Sequence, residues 1–211
     1  MSLRIIGGEL RNRTLKSPRN QKTRPTLAIL RKAVFDIAQN KLIDAQFLDL
    51  FAGSGVMGIE ALSRGASHVT FIDRDPAAIR CVQENLKLFS LQEKADVFCL
   101  DALAALHKCA KKKKPFSLIY IDPPYALSKT TSLLSELLCY IDTHELLLAE
   151  GILFVEEGAP ATLPQKLPPL SHLRYVNSRQ FSDSLLHQFV VGRPVTMLTT
   201  GPNFNSSNTI V

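Results

Sequence analysis

The chain has 211 residues, an apolar content of 45% and a formal net charge of +6. That length suits one ordinary domain with a full core, and no run of 18 apolar residues is present to cross a membrane. The first residues lack the apolar core of a secretion signal, so a cytoplasmic protein is expected.

Positive charge is concentrated near the N-terminus. Residues 1–41 carry only two acids, Glu9 and Asp36, and the remainder of the chain is slightly acidic. This asymmetry suggests a polyanionic partner, because each neutralised phosphate releases counterions and adds affinity without sequence readout. A solvated basic surface explains the same charge equally well, and charge alone does not decide between the two. The separate run Lys111–Lys114 is better explained as a solvated loop.

The cysteines show no sign of a metal site or a disulfide. Cys81, Cys99, Cys109 and Cys139 form no Cys-x-x-Cys pair and fall inside predicted helices and a strand. Buried reduced thiols are therefore expected.

The N-terminal elements are predicted to be a hairpin, a linker and a helix. Residues 3–15 alternate around the Gly7-Gly8 pair, which predicts a small arginine-rich hairpin, and residues 17–25 form a polar linker. Thr26 is a candidate N-cap for a helix that extends to about Gln39. The predicted division is residues 1–25 for hairpin and linker, 26–192 for the main domain and 193–211 for a flexible tail.

Strands and helices alternate through the middle of the chain. The predicted strands are Phe47–Phe51, Val69–Asp73, Asp96–Leu100, Pro115–Asp122 and Gly151–Glu156. The predicted helices are Val56–Arg64, Pro76–Phe89 and about Ser128–Tyr140. Leu173–Val176 and Leu186–Val191 are predicted to pair as an antiparallel edge. The pattern predicts an α/β fold with seven strands, mostly parallel, and helices on both faces of the sheet.

Residues 46–58 combine an apolar strand, a glycine-rich turn and a helix start. Gly53, Gly55 and Gly58 satisfy the G-x-G-x-x-G pattern of dinucleotide sites, and Asp73 follows at a distance of about 20 residues. Asp49, however, would repel a pyrophosphate at the end of the strand. A cationic ligand suits this carboxylate better, which favours S-adenosylmethionine (AdoMet), a sulfonium and ammonium compound that has no phosphate.

Carboxylates recur where the predicted strands end. Asp49, Asp73, Asp101 and Asp122 lie at or near the ends of four successive strands. Ligands of open α/β sheets bind outside the carboxyl ends of the strands, so these acids are expected to face one site. One such acid would be unremarkable, whereas four in succession favour a functional role.

Asp122-Pro123-Pro124-Tyr125 is the second informative motif. Two prolines cannot extend the strand, so they fix the Asp122 carboxylate and a proline carbonyl as acceptors beside Tyr125. Two acceptors that hold the hydrogens of a nucleobase amine favour the pyramidal geometry in which its nitrogen can attack a methyl group. Tyr125 can stack on a base taken out of its helix. The plainer alternative is a proline turn followed by a core tyrosine.

These motifs together resemble the bacterial 16S rRNA guanine-N2 methyltransferases (the RsmD-like family), which are AdoMet-dependent enzymes with a Rossmann-like class I fold. The resemblance rests on Arg4-Ile-Ile-Gly-Gly8, Arg24-Pro-Thr26, residues 47–66 and Asp122–Tyr125, and the order of elements continues it to about Gly192. The chain departs from the family pattern at two places. Asn12 replaces a glycine, and Leu27-Ala28-Ile29 replaces a more polar stretch.

The resemblance implies a reaction and a site. Methyl transfer from AdoMet to a guanine N2 amine in 16S rRNA, or in the assembling small ribosomal subunit, is expected from a monomer without a metal ion. Asp49 and the turn glycines would line the methionine end of AdoMet, Asp73 would hold the ribose and Asp101 the adenine amine. The implied catalytic residues are Asp122, Pro123, Pro124 and Tyr125. The implied cofactor-binding residues are Asp49, Phe51, Gly53, Ser54, Gly55, Asp73, Arg74, Asp101 and Ala102. The implied RNA contacts are Arg4, Arg11, Arg13, Lys22 and Arg24.

Three other interpretations stay open at this point. The residues alone do not distinguish guanine N2 from another base amine of RNA or DNA. The glycine pattern with Asp73 also fits a NAD-dependent oxidoreductase, and the basic N-terminal segment fits a non-catalytic RNA-binding protein. The intact Asp122–Tyr125 motif argues against the last of these.

Overall fold

The computed structural model describes residues 3–17, 25–124, 131–159, 163 and 165–192. Its strands are β1 (Leu3–Arg4), β2 (Thr14–Leu15), β3 (Gln46–Leu50), β4 (His68–Asp73), β5 (Ala95–Cys99), β6 (Phe116–Ile121), β7 (Leu147–Gly158), β8 (Leu173–Phe181) and β9 (Ser184–Val191). Its helices are α1 (Pro25–Ala38), α2 (Val56–Ser63), α3 (Pro76–Leu88), α4 (Ala102–Lys112) and α5 (Thr131–Thr143), with 3-10 turns at Gln39–Lys41 and Gln92–Lys94. The predicted alternation of strands and helices is confirmed.

The main sheet has the strand order β5-β4-β3-β6-β7-β9-β8. Neighbouring strands from β5 to β7 pair in parallel, and β9 is antiparallel to both β7 and β8, as predicted for the C-terminal edge. The chain moves outward from β3 to β5 and then returns to place β6 on the other side of β3. Because ligands of open α/β sheets bind where the strand order reverses, the crevice at the ends of β3 and β6 is the expected site.

Helices cover both faces of the sheet. α1, α2 and α3 pack on one face around Phe47, Phe71 and Phe154, whereas α4 and α5 pack on the other around Leu106 and Phe189. Burial on both faces explains why β3 and β6 are almost continuous apolar runs rather than alternating ones.

The N-terminal hairpin is confirmed as a short antiparallel pair, but its turn lies beyond the two glycines. Gly7 and Gly8 instead lie against the end of α2, where a Cβ on Gly8 would come within 1.9 Å of the Ser63 carbonyl oxygen. Asn12 occupies the turn with φ of 69°. Asparagine tolerates this left-handed conformation, so the departure from glycine at this position preserves the turn.

Several local expectations are corrected. Cys81 and Cys109 are buried as predicted, whereas Cys139 is only partly buried, and Cys99 is exposed because it ends β5, the edge strand of the sheet. β7 begins at Leu147 rather than Gly151. α5 continues to Thr143 rather than Tyr140, and its predicted start at Ser128 lies outside the described residues. α1 begins at Pro25, so Thr26 lies inside the helix rather than at its N-cap, and Pro25 belongs to the helix rather than to the predicted linker. The rest of that linker, residues 18–24, and the tail from residue 193 lie outside the described residues. Within the described part of the chain, no helix combines the length and apolar character needed to cross a membrane.

Candidate functional site

The carboxyl ends of neighbouring strands are tied together by backbone hydrogen bonds. The Asp122 N–H donates to the Leu50 carbonyl over 3.4 Å, and the Leu100 N–H donates to the Asp73 carbonyl over 3.0 Å. A similar bond of 2.9 Å joins the glycine turn, through the Ala52 N–H, to the end of β4. The four acids predicted at strand ends therefore lie on one side of the sheet, at the carboxyl ends of its parallel strands, as expected.

The glycine turn has the left-handed backbone that its composition predicts. Gly53 and Gly55 have φ of 56° and 77°, and Phe51 adopts φ of 64° although it has a side chain. Strained non-glycine residues cluster at functional sites, so Phe51 marks this turn as a constrained segment. Gly55 is the N-cap of α2 and brings no capping side chain to that helix start. Ser54, between these two glycines, is buried.

Asp73 and Asp101 are held in place by backbone donors. Asp73 accepts from the Gly53 N–H and the Asp75 N–H, each over 2.9 Å, which links the end of β4 to the glycine turn. Asp101 caps α4 by accepting from the Leu103 N–H over 3.0 Å. Both side chains border solvent, as does Arg74, whereas Ala102 is buried as the first residue of α4.

Asp49 is a buried carboxyl directly beneath the helix start. It is 1% exposed, and its Oδ2 accepts from the Gly58 N–H over 3.0 Å. Burial raises the pKa of Asp49 from its ordinary value of 3.8 to about 8, while the Gly58 N–H acts against this increase and the nearby Asp73 adds to it. The protein without a ligand thus holds a proton on Asp49 near neutral pH, and a cationic ligand would favour its release.

Asp49→Asn is expected to stabilise the ligand-free protein at alkaline pH. Since the folded-state pKa is raised, Asp49 contributes stability below about pH 4 that is lost as the pH rises through about 8. The amide keeps an acceptor for Gly58 and does not titrate, so the variant should gain on the order of a few kcal/mol at pH 8 and nothing at pH 4. Thermal unfolding at both pH values measures the difference. A variant less stable than wild type at pH 8 would contradict this account of Asp49.

Asp122 belongs to a group of acids on the same face of the sheet. Its side chain is half-buried, Pro123 is buried and Pro124 is exposed, while Tyr125 lies outside the described residues. Burial, followed by the charges of Glu156 and Asp49, raises the pKa of Asp122 well above its ordinary value. Such a set of carboxyl groups fits a cationic ligand and would repel a pyrophosphate. The described residues contain no group of three His, Cys, Asp or Glu side chains that could bind a metal ion.

The N-terminal hairpin is bound to the main domain through Glu60 of α2. Glu60 is fully buried and accepts from the Ile6 N–H over 2.9 Å and from Arg64 Nη2 over 2.9 Å. Arg31 of α1 lies 3.5 Å from Glu60 and donates to the Arg4 carbonyl over 2.7 Å. Glu60 thus joins three segments of the chain at one buried charge.

The predicted RNA contacts described by the structure lie on the outside of this hairpin. Arg4, Arg11 and Arg13 are exposed, and the Arg13 guanidinium lies 5.5 Å from the ring centre of Phe89. Lys22 and Arg24 lie outside the described residues.

Asn85 connects the hairpin to the glycine turn and was not predicted from the sequence. It accepts from the Lys16 N–H over 2.8 Å and donates to the carbonyls of Lys16 and Ser54 over 3.0 and 2.9 Å. In the sequence, Asn85 is visible only as a polar residue on the predicted buried face of a helix. Many helices without such a contact show the same pattern. Glu60 gave a similar signal as a charge within the apolar α2.

Known proteins resemble this chain over most of its length. A family model described as Conserved hypothetical protein 95 matches residues 3–189. The Bacillus subtilis (strain 168) protein named "Putative rRNA methyltransferase YlbH" is 39% identical over 168 residues, which cover 80% of this chain and 89% of that protein. The Escherichia coli (strain K12) protein named "Ribosomal RNA small subunit methyltransferase D" is 35% identical over 162 residues, covering 77% and 78%. A solved structure described as "Putative methyltransferase yhhF from Escherichia coli" has a TM-score of 0.75 at 29% identity, covering 90% and 98%.

Proposed function

The chain belongs to the family described as Conserved hypothetical protein 95, the RsmD-like methyltransferases, and we propose that it methylates the N2 amine of a guanine in 16S rRNA with AdoMet as the methyl donor. The observation that carries this proposal is the pairing of a buried carboxyl under a glycine turn with the Asp122-Pro-Pro motif at one edge of the sheet. The names of the two relatives support rRNA as the substrate. The resemblance of the motifs supports guanine N2.

The glycine turn is the proposed AdoMet site. Asp49, Gly53 and Gly55 hold the methionine end, where the acid compensates the positive charge of the ligand, and the same acid disfavours the dinucleotide alternative. Asp73 and Asp101, at the ends of β4 and β5, are proposed to bind the ribose hydroxyls and the adenine amine. The remaining proposed contacts are Phe51, Ser54, Arg74 and Ala102. When bound, AdoMet supplies an electrophilic methyl group.

Asp122 and the following prolines form the proposed amine site. The Asp122 carboxylate and a proline carbonyl accept the two hydrogens of the amine, which leaves the nitrogen lone pair directed at the methyl group. Asp122 then takes the proton that the nitrogen loses, a step favoured by its raised pKa. Tyr125 is proposed to stack on the base.

The arginines of the docked hairpin are the proposed contacts to the RNA backbone. Arg4, Arg11 and Arg13 project from a segment that Glu60 and Asn85 fix beside the glycine turn. Phosphate contacts of this kind position a nucleic acid without reading its sequence. Lys22 and Arg24 are proposed to extend the same basic surface.

Transfer of labelled methyl groups to ribosomal particles tests the proposed function. Small-subunit particles from cells that lack the endogenous enzyme should accept one labelled methyl group from AdoMet. Particles from cells that contain the enzyme are the matched control, because their target is already methylated and should accept none. Equal labelling of both would contradict the proposal. Binding of particles without any transfer would favour the non-catalytic RNA-binding alternative.

A further inference from the structure

Glu156 and Tyr120 form a buried pair beside the proposed amine site. Glu156 lies in β7 and is 5% exposed, and Tyr120 lies in β6 and is 3% exposed. The Tyr120 hydroxyl donates to Glu156 Oε2 over 2.5 Å. Burial and the nearby charges of Glu156 and Asp122 raise the pKa of Tyr120 well above its ordinary value, so its hydroxyl keeps its proton and acts as the donor. The Tyr120 hydroxyl therefore satisfies a buried carboxyl oxygen of Glu156.

The strand register places this pair next to Asp122. Tyr120 pairs with Phe154 and Ile121 with Val155 at the end of the register between β6 and β7, and Asp122 and Glu156 are the residues that directly follow this last pair. The charge of Glu156 acts on Asp122, as expected for neighbouring side chains. Side chains alternate between the faces of a sheet, and Asp122 and Glu156 therefore project on the face that carries Tyr120.

The other charged groups around Asp122 come from β3 and α1. Asp49 of β3 pairs with Tyr120 in the register and lies on the same face. Arg31 of α1 faces Tyr120, but its guanidinium is bound to Glu60 and to the Arg4 carbonyl. Among the described residues, Glu156 and then Asp49 are the charged groups that raise the pKa of Asp122.

We propose that Glu156 is a positioning residue for methyl transfer: its carboxyl group, held by Tyr120 beside Asp122, favours transfer of the amine proton to Asp122. This inference rests on the proposed function. In the step, the amine nitrogen bonds to the methyl carbon, the carbon–sulfur bond breaks with its electron pair going to sulfur, and the proton on the methylated nitrogen passes to the Asp122 carboxylate. A neighbouring negative charge strengthens that acceptor because it favours the protonated carboxyl.

Titration of Asp122 in the ligand-free protein tests the electrostatic effect of Glu156 on Asp122 without any substrate. Carbon-13 NMR of labelled aspartate carboxyls follows the titration, and the Asp122→Asn variant assigns the signal. In Glu156→Gln the Asp122 midpoint should fall by about one pH unit, because a like charge has been removed. Tyr120→Phe should move it in the same direction and provides a second test if the first variant does not fold.

Glu157→Gln is the matched control. Glu157 is the next residue of β7 and equally buried, but it projects to the opposite face, where it lies 3.4 Å from His187 and accepts from the Leu163 N–H. Its substitution should leave the Asp122 titration unchanged. An unchanged Asp122 midpoint in Glu156→Gln would overturn the proposal, as would an equal shift in Glu157→Gln.

The pH dependence of single-turnover methyl transfer tests the role in the reaction. The wild-type rate should rise with pH as Asp122 loses its proton, and in Glu156→Gln this rise should occur at lower pH with a plateau lower by up to about tenfold. A uniform loss of rate with an unmoved pH profile would indicate a purely structural role and overturn the proposal. Absence of transfer by the wild type would contradict the proposed function itself, a result that the NMR titration keeps separate from absence of the electrostatic effect of Glu156 on Asp122.

Discussion

Replacing Asp122 with asparagine is expected to slow methyl transfer by at least about a hundredfold while AdoMet binding changes by no more than a few-fold. Asparagine keeps the size of the side chain but cannot take a proton, and its amide hydrogens would face those of the target amine. The substitution also removes a half-buried carboxyl whose pKa is raised, so the stability of the folded protein should not decrease. Single-turnover transfer and calorimetry with AdoMet measure the two effects separately.

Asp96→Asn is the control for that substitution. Asp96 lies at the start of β5, at the opposite end of the strands from Asp122, and its side chain is 46% exposed. Transfer by this variant should equal that of wild type. If Asp122→Asn also transferred at the wild-type rate, the assignment of Asp122 to the amine site would be wrong. If it lost AdoMet binding instead, Asp122 would belong to the cofactor site.

Glu60→Ala is expected to lower the free energy of unfolding by about 3–5 kcal/mol, the usual cost of leaving a buried charge without its partner. Arg31 would keep its charge in a site where its side chain is only 4% exposed, and the Ile6 N–H would lose its acceptor. Chemical denaturation measures the loss. Hydrogen exchange should show that the amides of residues 3–15 lose protection before those of the main sheet.

Glu84→Ala provides the comparison, because it removes an acid whose partner is also on the surface. Glu84 lies 2.8 Å from Lys16, and both side chains are more than half exposed. Surface ion pairs contribute little, so the unfolding midpoint should hardly change. Similar midpoints for Glu60→Ala and wild type would show that the hairpin does not depend on this buried carboxylate.

Most of the sheet and the positions of its acids could be predicted from sequence because their signals are local. β3 and β6 are short apolar runs with an acid within or just after their last residues, and a glycine turn begins within three residues of the end of β3. A buried parallel strand requires that composition, and a tight turn requires those glycines. The placement of Asp49, Asp73, Asp101 and Asp122 at one edge followed from the strand ends alone.

The contacts that join the hairpin to the site could not be predicted, because they link residues distant in sequence. Glu60 accepts a hydrogen bond from Ile6, 54 residues away in the sequence, and Asn85 accepts one from Lys16, 69 residues away. A linker predicted at residues 17–25 implied a separate arm, whereas the described hairpin is bonded to α2 and α3 on both sides of the glycine turn. No local pattern specifies such partners.

The position of Glu156 beside Asp122 could not be predicted from the sequence for a different reason. It extends the pattern of an acid near the end of each strand, but β7 continues to Gly158 and carries two adjacent acids. Alternation sends Glu156 and Glu157 to opposite faces, and only the register with β6 shows which of them accompanies Asp122.

The identity of the methylated nucleoside tests the central claim most directly. Small-subunit particles lacking the modification would be incubated with the protein and AdoMet, their 16S rRNA digested to nucleosides, and the products separated by mass and retention. We predict a single new product, N2-methylguanosine, that is absent when Asp122→Asn replaces the wild type. Methylation of an adenine or cytosine amine, or no new nucleoside at all, would contradict the proposed reaction.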